Sequence, residues 1–366
     1  MKGRAWAEIS INNVKHNFNV IKNRLSSKTK ICCSIKSNGY GHGAIRLAKE
    51  YEKLGADYFA VSNFFEGLEL RRSNIKTPII ILGYTPIFLA KRLVKYNLTQ
   101  TIYSYDYALA LSKELSKENL TLKAHLKLDT GMGRLGFRCL GDSFNELDIA
   151  YKVCKLKTFD FEGVFTHFSV ADELKTGKEF TKKQFKNFIT GVNYLKERGV
   201  EFKIKHVSNS AGVFNYPNFE LDMVRVGISL YGVGGSELKE VLTLKSVISN
   251  VKNIKKGDSV SYGRDFIAKK DMKIATIPIG YADGVLRSNA KTLKVMVNGS
   301  LAHAVGRICM DQLMINASNI NVKIGDEVII FGKGGISVLE FAKNNKTIPY
   351  EILTSISQRV ERVYIK

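Results

Sequence analysis

Lys36 is the residue of this sequence best placed for carbonyl chemistry. It follows the apolar run 31–35 and precedes a turn rich in glycine. A strand end followed by such a turn lets an amine and the backbone approach a ligand closely. A lysine held in this way can form a Schiff base with an aldehyde. Taken alone, Lys36 could equally be a solvated lysine before a turn.

The tract around Lys36 is more specific than the lysine itself. Residues 35–43 read IKSNGYGHG, and they resemble the cofactor-lysine motif of the alanine racemase family. The resemblance implies that Lys36 carries pyridoxal 5'-phosphate and that Tyr40 lies near the phosphate of that cofactor. Ser37 and Gly39 replace the alanines more usual in the family, which we expect to affect the loop and leave the chemistry intact.

A second polar tract, residues 123–136, combines a lysine on a predicted strand with a loop arginine. Lys127 alternates with Leu126 and Leu128, so it is expected to point into a barrel, where a buried amine needs a charge partner or a lowered pKa. Arg134 is flanked by glycines and could bind a carboxylate or phenolate through two N–H donors. Alternatively, it could be a solvated arginine on a barrel loop. The tract resembles the family's second signature. That implies substrate binding by Arg134, held by Lys127, which is carbamylated in some members.

Polar residues also end three later predicted strands. Ser210 opens a short helical turn whose hydroxyl and N–H groups suit a phosphate, and Gly227 leaves neighbouring N–H groups accessible. The resemblance implies that Arg225 faces the pyridine nitrogen of the cofactor. Because arginine keeps its proton, that nitrogen would stay unprotonated, which weakens the electron sink and favours racemisation over transamination. The implied cofactor-binding residues are Lys36, Tyr40, His167, Ser210, Arg225, Gly227, Ile228 and Tyr350.

Tyr262 would supply a second base from a later part of the chain. Alone it could be an ordinary turn residue, but the resemblance makes it the base on the face opposite Lys36. Two bases are needed because a single base would return the proton to the side it left. A tyrosine with a pKa of about 10 needs a donor network to act as a base, for which His167 and Arg225 are candidates. The resemblance also implies substrate binding by the Met310 N–H and supporting roles for Lys127, His206, Tyr281 and Asp311.

The predicted elements explain how these residues meet. Over residues 11–236, short β-rich runs alternate with amphipathic helical patterns, which predicts an α/β fold with an N-terminal (β/α)₈ TIM-type barrel. The polar tracts follow predicted strands, and barrel strands end at one common mouth. Over residues 237–366 short strands and turn signals dominate, which predicts a C-terminal mainly-β domain. We expect the N-terminal strand 1–10 to join that second domain.

Composition excludes several other classes. The formal net charge is +22, but the lysines are scattered and no nucleic-acid-binding motif accompanies them, so we expect no nucleic-acid partner. No apolar stretch approaches the roughly 20 residues that span a bilayer, so no membrane partner is expected. The five cysteines form no Cys-x-x-Cys pair, which argues against disulfides or a metal site and predicts a cytoplasmic protein.

The resemblance runs from Trp6 to Arg362. It implies a pyridoxal-phosphate-dependent isomerase that interconverts L- and D-alanine by two-base proton transfer on a cofactor aldimine, supplying D-alanine for peptidoglycan. It also implies a head-to-tail homodimer with Tyr262 and Met310 coming from the partner subunit. The alternatives are a related racemase of serine or broad specificity and a basic amino-acid decarboxylase of the same fold, which Arg225 disfavours. A non-catalytic cofactor carrier of one barrel is disfavoured by Tyr262.

Overall fold

A computed structural model describes residues 3–141 and 144–366 of the chain. Residues 1 and 2 of the predicted strand 1–10 lie outside the described residues. Short, mostly buried strands alternate with helices in the part of the chain up to residue 226. They are β1 (Ala5–Ser10), β2 (Lys30–Ser34), β3 (Tyr58–Val61), β4 (Ile79–Ile81), β5 (Leu98–Ile102), β6 (Leu122–Asp129), β7 (Phe137–Arg138), β8 (Phe159–Phe165), β9 (Ile204–His206) and β10 (Met223–Val226).

Helices alternate with these strands because the intervening segments carry apolar residues at helical spacing. The first helix begins after Ser10, whose side chain accepts a hydrogen bond from the Asn13 N–H, and it buries Val14, Phe18 and Ile21. The helical segments are α1 (Ile11–Asn23), α2 (Lys36–Tyr40), α3 (Ala44–Leu54), α4 (Phe64–Arg72), α5 (Ala90–Lys95), α6 (Tyr105–Ser116), α7 (Asn145–Cys154), α8 (Lys178–Lys196) and α9 (Ser210–Asn215). Of these, α2 is a single turn whose backbone is left-handed at residues 37–40.

Eight parallel strands form the predicted barrel. Their order is β10-β2-β3-β4-β5-β6-β8-β9, and β7 pairs with β6 at the side. Between β9 and β10, the Asp222 N–H donates to the Lys205 carbonyl and the Arg225 N–H donates to the Ser208 carbonyl. These bonds bring together β9 and β10, the two ends of this strand order, and the prediction of a (β/α)₈ barrel is confirmed.

A separate small cluster of buried side chains has members on most of the barrel strands. Cys32, Ala60, Ile80, Phe165 and Met223 belong to it. Each of these residues lies on a different strand, as expected for side chains that fill the interior of a barrel. The interior is therefore a packed core, and chemistry is confined to the mouth at the carboxyl ends of the strands.

The remainder of the chain is mainly β, as predicted, with two short helices. Its elements are β11 (Leu242–Val247), β12 (Asn250–Ile254), β13 (Ser259–Val260), β14 (Phe266–Ile267), β15 (Met272–Ile277), β16 (Lys294–Val297), β17 (Ser300–His303), β18 (Leu313–Asn316), β19 (Glu327–Phe331), α10 (Val338–Asn344), α11 (Pro349–Ser355) and β20 (Glu361–Ile365). A six-stranded sheet has the order β17-β16-β19-β11-β1-β20, so β1 lies between two strands from this second half. A three-stranded sheet, β12-β15-β18, and the pair β13-β14 are the other sheets of this part.

Candidate active site

Lys36 opens a left-handed turn at the barrel mouth. Ser37, Asn38, Gly39 and Tyr40 have φ angles of 51°, 53°, 61° and 52°. For residues other than glycine this conformation costs about 1–2 kcal/mol each, and such strain is typical of functional sites. The Glu66 carboxylate helps to hold the turn by accepting the Ser37 N–H at 2.8 Å. The sequence predicted a turn here, but not its hand.

The Lys36 amine lies in a setting that favours its neutral form. Partial burial, followed by the nearby charge of Arg134, lowers the pKa of Lys36, while Glu66 opposes the shift. A neutral amine is the form that attacks a carbonyl carbon. Lys36 is therefore suited to nucleophilic chemistry and to proton transfer at the barrel mouth.

Lys127 and Arg134 come from β6 and the loop that follows it. Lys127 is only 4 % exposed, and burial together with the charges of Arg134 and Arg225 lowers its pKa to about 8. Asp129 shapes the loop by accepting the N–H groups of Gly131 and Gly133, both at 3.0 Å. Arg134 itself is exposed on that loop, where its guanidinium is free to meet an anionic ligand.

Arg225 is held rigidly at the end of β10. It is 5 % exposed, and its Nη1 donates to Nδ1 of His206 at 2.7 Å. Its Nη2 donates to the Thr166 carbonyl at 2.6 Å and lies 3.4 Å from Nδ1 of His167. Burial lowers the pKa of Arg225 to about 10, which leaves it protonated near neutral pH. The ring of Phe165 packs under the guanidinium at 4.9 Å, so the orientation of Arg225 is fixed on several sides.

Ser210, Gly227 and Tyr40 form a cradle of polar groups beside the mouth. The Ser210 hydroxyl accepts the N–H of Gly227 at 2.9 Å, and Ile228 begins the short turn that follows. A Cβ at Gly227 would lie 2.6 Å from the Tyr40 hydroxyl, so only glycine fits. The rings of Tyr40 and Tyr350 are 6.0 Å apart. Five residues that the sequence predicted to bind a cofactor therefore lie close together, namely Tyr40, Ser210, Gly227, Ile228 and Tyr350.

Tyr262 and Met310 lie together on the surface of the mainly-β part. They are 68 % and 52 % exposed, and both line a cleft of about 450 Å³. Within residues 3–141 and 144–366, no hydrogen bond or ion pair given by the structure joins Tyr262 to Lys36. The residues that line this cleft all belong to the mainly-β part of the chain, between residues 261 and 312.

The Met310 loop is braced by a carboxylate that the sequence analysis did not single out. Asp283 is fully buried and pairs with Arg4 at 2.7 Å and with Arg359 at 3.1 Å. Arg359 also pairs with the predicted residue Asp311. These contacts join the two ends of the chain to this loop, which is why no local pattern revealed them.

Gly280 and Tyr281 bring a second loop against Met310. The N–H of Tyr281 donates to the Cys309 carbonyl at 3.1 Å, and that of Ala282 donates to the Met310 carbonyl at 3.0 Å. A Cβ at Gly280 would lie 2.3 Å from the Cys309 carbonyl, so the close approach requires glycine. The Cys309 carbonyl belongs to the same peptide unit as the Met310 N–H. Because Tyr281 fixes that carbonyl, the Met310 N–H is held in one orientation, which suits it to bind an anion.

The part of the chain that the structure describes contains neither a cluster of metal-ligating side chains nor a membrane-spanning helix. Among residues 3–141 and 144–366, no group of three or more His, Cys, Asp or Glu side chains is arranged to hold a metal ion. In the same ranges, no helix has the length and apolar character needed to cross a bilayer.

The fold and the site define a (β/α)₈-barrel protein with a lysine- and arginine-lined mouth and a mainly-β second half. Comparison with known families narrows this class. Residues 9–234 match the model of the alanine racemase N-terminal domain, and residues 241–364 match that of the alanine racemase C-terminal domain. The chain belongs to the alanine racemase family.

Individual relatives agree over nearly full length. The alanine racemase of Clostridium tetani is 44 % identical over 99 % of this chain and 95 % of the relative, and that of Carboxydothermus hydrogenoformans is 42 % identical over 98 % and 99 %. The structure of Clostridium difficile 630 alanine racemase is 41 % identical, with a TM-score of 0.93 over 100 % of this chain and 96 % of that one. The structure of the Bacillus anthracis enzyme with bound L-Ala-P is 34 % identical, with a TM-score of 0.94 over 100 % and 96 %.

Proposed function

We propose that this protein interconverts L-alanine and D-alanine with pyridoxal 5'-phosphate as its cofactor. The observation that carries the proposal is the pairing of strands β2 and β10, in which Arg225 lies opposite Cys32. This pairing brings the lysine that follows β2 and the buried arginine of β10 to the same part of the mouth. Full-length similarity to alanine racemases supports the same conclusion.

The residues present fit the proposed cofactor. Ser210, Gly227 and Ile228 would hold its phosphate through a hydroxyl and backbone N–H groups, with Tyr40 and Tyr350 beside them. The missing Cβ of Gly227 leaves the cradle open, and a concave set of N–H groups is a known anion-binding arrangement. Lys36 would attach the cofactor through its amine, and Arg225 would face the ring nitrogen.

The cofactor, when bound, supplies an electron sink that acidifies the Cα proton of the amino acid. The side chains of the protein then set the outcome. Arg225 has five donors and no acceptor, so it can only donate a hydrogen bond and does not deliver a negative charge to the ring. A decarboxylase of this fold would need an acidic residue there, and the Arg225 partners are imidazoles and carbonyls.

Two bases would exchange the proton at opposite faces. Lys36, with its lowered pKa, would serve one face and Tyr262 the other. Arg134 and the Met310 N–H would hold the substrate carboxylate, and His167 would support the donor network. Because Tyr262 and Met310 are exposed in one copy, we propose a head-to-tail homodimer in which these residues complete the partner's site.

The remaining features of the proposal concern organisation and cellular role. We propose a barrel domain of residues 11–236 and a mainly-β domain of residues 237–366, joined by the N-terminal strand, since β1 pairs with β11 and β20. A cytoplasmic location suits the free thiols of the described chain. D-alanine for peptidoglycan is the proposed use of the product.

One experiment tests the proposed reaction directly. Purified protein loaded with cofactor is incubated with L-alanine in D₂O, and we expect D-alanine carrying Cα deuterium. Parallel incubations with L-serine and a basic amino acid test the two alternatives. Racemisation of serine at a comparable kcat/KM would indicate broad specificity, and CO₂ release would indicate a decarboxylase. Absence of D-alanine with the cofactor bound contradicts the proposal.

Gly227→Ala should weaken cofactor binding. The new Cβ would lie 2.6 Å from the Tyr40 hydroxyl, and overpacking of about 1–3 kcal/mol, if it falls on the bound state, raises the dissociation constant about 5-fold to 160-fold. Titration of apo protein with pyridoxal phosphate measures this. Gly3→Ala is the matched control, because its new Cβ would have its nearest neighbour at 3.8 Å. Equal affinity of the two variants contradicts the assignment of the cradle.

We propose that Lys127 is carbamylated and thereby holds Arg134. With a pKa of about 8, roughly a tenth of this amine is neutral at pH 7, and only the neutral amine adds CO₂. After equilibration with ¹³C-bicarbonate, wild-type protein should show a carbamate ¹³C signal that Lys127→Met lacks. Lys123→Met, on the exposed side of the same strand, should keep the signal. Loss of the carbamate signal in both variants, or in neither variant, contradicts the proposal.

A further inference from the structure

A chain of two histidines runs behind Arg225 into the interior of the barrel. Nη1 of Arg225 donates to Nδ1 of His206 at 2.7 Å. On the other side of the ring, Nε2 of His206 is hydrogen-bonded to Nδ1 of His125 at 2.9 Å. Both imidazoles are fully buried. We call His206 and His125 the histidine chain. His125 lies two residues before Lys127 on β6, so strand alternation could have revealed that they share a face.

The partners at its two ends fix the direction of the histidine chain. Arginine has no acceptor, so Nδ1 of His206 must accept and its proton must sit on Nε2. That proton can only be donated to Nδ1 of His125, which places the proton of His125 on its own Nε2. This last N–H has no hydrogen-bond partner in the described part of the chain, and it faces the Glu162 carboxylate at an ion-pair distance of 3.9 Å.

The backbone of β8 is adapted to this arrangement. Ala124 pairs with Phe161 and His125 pairs with Gly163, so Glu162 is an extra residue at a break in the register. Bulges of this kind re-aim a side chain. A Cβ at Gly163 would lie 2.6 Å from the His125 ring, so glycine at that position makes room for the imidazole. Two independent backbone features therefore serve the contact between His125 and Glu162.

Among the residues that the structure describes, Arg225 has no acidic partner in direct contact. Its guanidinium donates to three carbonyls and faces two imidazoles, and none of these described partners is a carboxylate. A buried charge needs compensation. The negative charge of Glu162 can supply this compensation through the polarised histidine chain. The Glu162 carboxylate is fixed by the Tyr58 hydroxyl, which donates a hydrogen bond to it at 2.7 Å.

We propose that Glu162 is a positioning residue for Arg225, acting through His125 and His206. Its carboxylate lies 3.9 Å from the last N–H of a one-directional row of donors, helps to compensate the buried guanidinium and strengthens Nδ1 of His206 as the acceptor that orients Arg225. The effect on turnover rests on the proposed racemase function. The effect on the hydrogen bonds of the histidine chain does not.

The test is ¹⁵N NMR of the imidazole nitrogens in full-length protein, combined with alanine kinetics. The chain has six histidines, so single His→Gln variants can assign the signals. In the wild type, His125 and His206 should both carry the proton on Nε2. Glu162→Gln should weaken both hydrogen bonds of the histidine chain and therefore shift the ¹⁵N signals of both rings, most strongly for His125, which faces the substituted side chain. It should also lower kcat about tenfold, the loss that follows when a carboxylate behind a ligating histidine is removed at metal sites, with KM within about twofold.

Two further variants separate charge from fold. Glu162→Asp keeps the carboxylate and should retain the wild-type ¹⁵N signals of both rings and kcat within about threefold of wild type. Asp160→Asn, exposed on the same strand, should change neither readout. The proposal is overturned if Glu162→Gln leaves the imidazole signals or kcat unchanged, or if Glu162→Asp behaves like Glu162→Gln. If wild-type protein fails to racemise alanine, the proposed function fails, while the tautomer measurement still tests the histidine chain.

Discussion

A Lys36→Ala variant should racemise alanine at least about 10⁴-fold more slowly than wild type, because one substitution removes two functions. The amine would attach the cofactor, and it would also exchange the proton on one face of the substrate. Its lowered pKa suits both tasks. A chiral assay of D-alanine formation measures the rate, and absorbance after gel filtration measures the cofactor that stays bound.

Lys49→Ala is the matched control for this variant. Lys49 is exposed on α3, close in sequence to the turn, and alanine there preserves the helix. We expect unchanged activity and cofactor absorbance. If Lys36→Ala kept its racemase activity and its cofactor absorbance, another residue would have to supply the reactive amine. Lys127, whose pKa is lowered to about 8, would be the first candidate.

The sequence sufficed to locate the barrel mouth because each polar tract follows a run of buried residues. Lys36, Lys127 and Arg225 each follow or end such a run, and the ends of parallel strands must converge. The hand of the turn after Lys36 was not accessible in this way. Ser37, Asn38 and Tyr40 adopt positive φ although their side chains disfavour it, so only the surrounding contacts select that conformation.

The supports of the site were harder to predict than its reactive groups. The brace at Asp283 joins residues 4, 283 and 359, and the contact between Glu162 and His125 depends on a register break in β8. Neither long-range pairing nor register can be seen in a local pattern of residue types. Reactive side chains stand next to glycines in the sequence, whereas their supports are brought close only by the fold.

Tyr262→Phe should slow racemisation by about 10³-fold, the range of a lost general base. The phenol oxygen is removed, while the ring and the cleft around it remain. The loss should depend on the face of the substrate. In D₂O, D-alanine should still exchange its Cα proton through Lys36 without inversion, whereas L-alanine should not exchange. NMR of the recovered amino acids measures the rate of Cα proton exchange for each enantiomer. An equal fall of the exchange rate for D-alanine and L-alanine contradicts the assignment of Tyr262 to one face.

Mixing the two inactive variants should restore activity if Tyr262 serves the partner's barrel. Random reassortment of Lys36→Ala and Tyr262→Phe chains gives half mixed dimers. Each mixed dimer has one site with both bases and one with neither, so about a quarter of wild-type activity should return. Co-expression with two different tags allows the mixed dimer to be isolated and assayed. If Lys36 and Tyr262 of one chain formed a site together, every site in the mixture would lack one base, and no activity would return.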